Sequence, residues 1–105
     1  MKLIAITLTA AGVLAAAGSA AAAASDVDYL RASRCRGLAA SGVAAVDTAA
    51  MDAFLKTEGR SRTTFVMDRG KAEFDRAKRE GKTDNAERKA RLTAELNGPC
   101  QVYKG

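Results

Sequence analysis

Cys35 and Cys100 are the only cysteines in this sequence, and so the only side chains able to form a disulfide or supply a thiolate. Their spacing does not fit a C-x-x-C redox pair, and with only two cysteines the connectivity of a bridge is forced. No histidine occurs. That removes Ser-His-Asp and Cys-His catalysis, histidine zinc sites and the ordinary general base at neutral pH. Gly81-Lys82-Thr83 matches the end of a phosphate-binding loop, but Arg76 stands where that loop needs its first glycine. The three residues read instead as a helix stop followed by a cap. Asp26 and Asp28 suggest calcium only weakly, because neither a turn glycine nor a distant glutamate ligand accompanies them. At the start of a helix they complement its dipole. Asp68, Glu73, Asp75 and Glu80 could supply an acid/base pair on paper. Arg69 with Glu73, Asp75 with Arg79 and Arg76 with Glu80 instead have the spacing of ion pairs on a solvated helix. This inventory predicts no enzyme, no cofactor and no metal.

The remaining chemistry is charge. The chain carries a formal net charge of +5, and the stretch from Lys56 to Arg91 holds 12 basic and 7 acidic residues. Arg76, Lys78, Arg79, Lys82, Arg88, Lys89 and Arg91 could gather on one side of a helical hairpin and attract a polyanion. No aromatic residues are interleaved for base stacking. If the chain is exported, intracellular nucleic acid is also out of reach. The expected partner is therefore an unidentified protein or an anionic envelope surface, set against the plainer reading of a solvated face. A second functional reading is an inhibitor or immunity-type protein against an envelope enzyme, for which a rigid scaffold limits the entropy lost on binding.

Export is expected from the first residues. Lys2 precedes an apolar run from Leu3 through Leu14 that thins into Gly18-Ser19-Ala20 and a series of alanines, the order of a secretory leader. The A-x-A rule places the cut before Ser25, giving a leader of residues 1–24 and a single domain of 25–105. Sites two to four residues earlier are nearly as good. An uncleaved membrane anchor is the rival. A periplasmic or secreted location would oxidise the two cysteines. Closing a loop of this length contributes about 4 kcal/mol on chain-entropy grounds, which matters for a domain this small.

The elements that position these residues read as all-α, three or four helices with no strand. Ser25 and Asp28 have capping-box spacing, which predicts a helix from there to about Ala40, broken at Ser41-Gly42. Its apolar arc of Val27, Leu30 and Leu38 also contains Arg31 and Arg34, so either the arginine stems lie along the edge or the register differs. Asp47 or Thr48 can cap a second helix with Met51, Phe54 and Leu55 on one face and Gly59 as a left-handed stop. The third helix is expected from Ser61 or Thr63 to near Gly81. It holds a tandem pattern, Met67-Asp68-Arg69-Gly70-Lys71-Ala72-Glu73 then Phe74-Asp75-Arg76-Ala77-Lys78-Arg79-Glu80. That repeat stacks Met67 over Phe74 and sets Gly70 and Ala77 beside them, where small residues let a neighbouring helix come close. Asp84 and Glu87 suggest a capped fourth helix, with Ala86, Ala90, Thr93 and Leu96 facing inward. Asn97-Gly98 would end it in left-handed geometry, and Pro99 forbids continuation. Segments 64–81 and 84–97 are expected to form an antiparallel hairpin, with the first helix bonded to its end through Cys35–Cys100. The large apolar side chains available for a core also include Phe65, Val66, Leu92 and Val102. The outline of leader, short helices and one long-range disulfide resembles the small periplasmic acid-stress chaperones in architecture, without a shared motif.

Overall fold

The computed structural model describes residues 24–104, which form four α-helices and a short 3-10 turn, with no strand among the described residues. Apart from Ala24, the expected leader lies outside the described residues. Helix α1 spans Asp26–Ser41, α2 Ala49–Gly59, α3 Thr64–Glu80 and α4 Ala86–Asn97, and the 3-10 turn covers Pro99–Tyr103.

The N-termini are set by side-chain caps. At α1 the Asp28 N–H donates to Ser25 Oγ at 3.1 Å, and the Ser25 N–H donates to the Asp28 carboxylate at 3.0 Å, closing the expected capping box. Gly42, at φ 82°, ends α1 in left-handed geometry. At α2 the Ala49 N–H donates to Asp47 Oδ1 at 3.0 Å. Gly59 is not the left-handed stop expected: it belongs to the helix, and Arg60 beyond it keeps right-handed angles. Thr63 caps α3 by accepting from the Val66 N–H at 3.2 Å. The cap of α4 is Asn85 rather than Asp84. Asn85 Oδ1 accepts from the Arg88 N–H at 2.8 Å, while Thr83 Oγ1 accepts from the Asn85 N–H at 3.1 Å. Gly98 does not take the expected left-handed geometry either, with φ −115°. Pro99, which lacks an N–H, stops α4 and begins the 3-10 turn.

The expected α3–α4 hairpin does not form. Helix α3 packs along α1, and α4 packs on α1 and the 3-10 turn. Small side chains explain the pairing. Along the α1–α3 seam Gly37 faces Phe74 and Ala77, Ser41 faces Gly81, and Ser33 faces Gly70. A Cβ on Gly37 would overlap the Phe74 carbonyl oxygen, so the two backbones are close to the limit of approach. The small residues of the heptad pattern therefore do admit a neighbour, and that neighbour is α1. Gly59 and Gly70 also lie against the ring of Tyr29, which is buried. The face of α1 that is buried is Tyr29, Ala32, Ser33, Cys35, Gly37 and Leu38, whereas Val27 is 53% exposed. Of the expected arc, Leu38 is buried, Leu30 is half-buried and Arg34 lies along the edge, while Val27 leaves it; the close approach of α3 brings the small Ala32, Ser33 and Gly37 into the buried face.

The core joins Ala32, Cys35 and Leu38 of α1, Met51 of α2, Ala77 of α3, Leu92 and Leu96 of α4, and Cys100 and Tyr103 of the turn. Phe54 and Leu55 pack against it, with the Phe54 and Tyr103 rings 5.3 Å apart between centroids. On α4 the inward face is Leu92 and Leu96, with Thr93 half-buried, and Ala86 and Ala90 point outward, contrary to expectation. Phe65, Met67 and Val102 also remain exposed.

Candidate functional site

The disulfide Cys35–Cys100 is present, with Cα atoms 5.8 Å apart, and both cysteines are buried. It fastens the 3-10 turn that follows α4 to the middle of α1. Immediately before Cys35 on α1, Arg34 ties three helices together. Its Nε and Nη2 donate to the two carboxylate oxygens of Glu95 on α4 at 2.6 and 3.0 Å, and Nη1 stands 3.1 Å from Glu80 on α3. The fork to Glu95, followed by the charge of Glu95 and the contact with Glu80, raises the pKa of Arg34 and outweighs the opposing effect of burial. This is a fixed cation whose charge is met by two carboxylates.

Arg34 and Glu95 separate two clefts. The first is lined by Arg34, Glu80, Arg88, Arg91, Leu92 and Glu95. The second is lined by Asp28, Arg31, Arg34, Cys35, Glu95, Pro99, Val102 and Tyr103, and is the more apolar. In the second, the Tyr103 hydroxyl lies 3.5 Å from Asp28. Burial, and then the Asp28 charge, push the Tyr103 phenol up from its ordinary pKa. Asp28 is lowered, first by the Ser25 backbone N–H and then by the Ser25 hydroxyl. Among the described residues, no three His, Cys, Asp or Glu side chains are grouped to hold a metal ion.

The seven candidate cations do not form one patch. Arg88 and Arg91 share the first cleft with Arg34 and have no ion-pair partner among the described residues. Lys82 and Lys89 border a separate shallow depression beside Ser41, Gly42 and Val43. Arg76 is paired with Glu73 on its own helix. Lys78 and Arg79 line none of these clefts, Lys78 being half-buried and Arg79 exposed. Sequence reasoning missed Arg31 and Arg34 as cleft residues. Their place on the supposed apolar arc of α1 was the available signal, since an arginine at a helix–helix junction requires carboxylates on the facing elements.

The fold and site define a small, disulfide-cross-linked, all-α domain with two clefts divided by an arginine–carboxylate junction. No family model, curated protein or solved structure matches the chain.

Proposed function

We propose that this chain is exported behind a cleavable leader as a small non-enzymatic protein that binds an anionic surface of the cell envelope through Arg88 and Arg91. One observation carries the reading. The first cleft holds three arginines, of which Arg34 is neutralised by Glu80 and Glu95 while Arg88 and Arg91 are exposed without an acidic partner among the described residues. An unpaired basic pair attracts a phosphate or carboxylate group more strongly than cations already satisfied by neighbours. One further finding is compatible with export: a disulfide suits an oxidising compartment.

Binding of the oxidised protein to vesicles containing anionic lipid, across a salt series, tests this reading. Binding at low salt that weakens as salt rises, and is lost in Arg88→Glu/Arg91→Glu, is the expected result. Absence of binding at low salt overturns it. The inhibitor or immunity reading draws on a different observation, the exposure of Phe65 at 69% and Val102 at 77%, since exposed apolar side chains on a rigid scaffold can anchor a protein contact. It predicts stoichiometric capture of one envelope enzyme that is reduced by Phe65→Ala or Val102→Ala and survives the double arginine change.

A further inference from the structure

The A-x-A rule favours a cut before Ser25 with earlier alanines nearly as good, but the fold distinguishes among these positions through Arg62. This arginine, in the connection between α2 and α3, keeps only 11% of its side chain exposed. Its Nη1 donates to Asp26 Oδ1 at 2.7 Å and its Nη2 to Glu58 Oε1 at 2.7 Å. Nη2 also donates to the backbone carbonyl of Ala24 at 2.7 Å. Arg62 therefore holds the residue just before the cap of α1, binding that residue's peptide oxygen together with the first acidic side chain of the helix.

We infer that Ala24 remains in the mature chain and that the leader is removed at an earlier alanine, with Arg62 as the receptor for the new N-terminal segment. The inference rests on the leader reading above and fixes its boundary. Leader removal is hydrolysis of a peptide C–N bond: the hydroxyl of water goes to the acyl carbon and its hydrogen to the departing amine. If the bond broken were Ala24–Ser25, the Ala24 carbonyl would leave with the leader, and Arg62 would lose one of its acceptors. The Ser25 amide would become an ammonium group beside the Arg62 guanidinium and at the positive end of the α1 dipole. A cut at an earlier alanine keeps the carbonyl, keeps Ser25 as an amide in its capping box and places the new ammonium group on a residue before Ser25.

N-terminal sequencing and intact mass of the exported protein provide the test. A first residue from Ala21 to Ala24 is expected. A first residue of Ser25 overturns the inference and leaves the leader reading standing, whereas a chain still beginning at Met1 overturns both. A second measurement compares refolded chains beginning at Ala23 and at Ser25, each with Arg62 and with Arg62→Met. With Arg62 present, the chain beginning at Ser25 is expected to melt about 4–8 °C lower, a shift readable for a domain of this size. The gap should close in Arg62→Met, and equal melting of the two chains with Arg62 present overturns the inference.

Discussion

Gly37→Ala distinguishes a close-packed α1–α3 seam from a loose one. Alanine is the better helix former by about 1 kcal/mol, so a seam with slack would make the variant more stable than the parent. The structure leaves no slack: the added methyl would stand 3.0 Å from Ala77 Cβ and overlap the Phe74 carbonyl oxygen. One obstacle is backbone and the other is the first atom of a side chain, so neither can rotate away. The helices must separate, and Gly70, Ser33 and Ala77 lose contacts along the same seam. Overpacking a tight interior typically costs about 1–3 kcal/mol, and the forced backbone shift places this case at the upper end. Setting about 3 kcal/mol of strain against the propensity gain leaves a net loss of about 2 kcal/mol. That loss lowers the melting midpoint by about 8–16 °C. Gly59→Ala is the control. It also adds a methyl to a helical glycine, but the nearest atom is Tyr29 Oη at 3.4 Å, an ordinary contact, so this variant should melt at or slightly above the parent. Thermal unfolding followed by far-UV circular dichroism measures both. A Gly37→Ala protein as stable as the parent, or more so, refutes the close-approach account of why α3 pairs with α1.

Replacing both cysteines by serine removes the constraint across 65 residues. It should cost about 4 kcal/mol, measured as a fall in the urea midpoint, with α4 losing amide-exchange protection before the α1–α3 pair. Leu96→Ala deletes a side chain with no exposed surface and should cost about 2–5 kcal/mol in urea unfolding, while Val102→Ala, at a residue 77% exposed, should change little. Asp28 has a folded pKa below its ordinary 3.8, so its stabilising effect is present above that value and is lost as the pH falls through the lower folded one. Asp28→Asn should therefore melt below the parent at neutral pH, and the gap should narrow as the solution is acidified past the ordinary carboxylate range.

Much of the helix content was legible because its signals are local. Ser25 with Asp28, Thr63 before α3 and Pro99 after α4 act within one turn, and a lone pair of cysteines admits one bridge. The partners of the helices were not legible in the same way. Phe65, Val66, Met67 and Phe74 carry the hydropathy of α3, yet its buried positions are Gly70 and Ala77, which the heptad pattern marks for close approach without naming the helix that approaches. Side-chain size set the distance of approach there, and hydropathy gives no weight to a glycine. The same physics buried Ala32, Ser33 and Gly37 on α1 and left Val27 in solvent. Two glycine-based stops also went astray, because right-handed geometry at Gly59 and an extended φ at Gly98 serve as well when the next segment is held by packing or by Pro99. Of the candidate contacts, Arg88 and Arg91 share a cleft while Arg76, Lys78 and Arg79 stand apart. That division follows from α3 docking on α1 rather than on α4, a long-range choice that charge spacing within one helix does not encode.

A covalent tie between α1 and the C-terminal turn secures the small core of this domain. Differential alkylation of the protein recovered from its producing cell, denatured first without and then with reductant and read by mass spectrometry, tests it directly. Cys35 and Cys100 are expected to take up reagent only after reduction, in a chain that has lost its leader. Two cysteines that alkylate fully before reduction would contradict it.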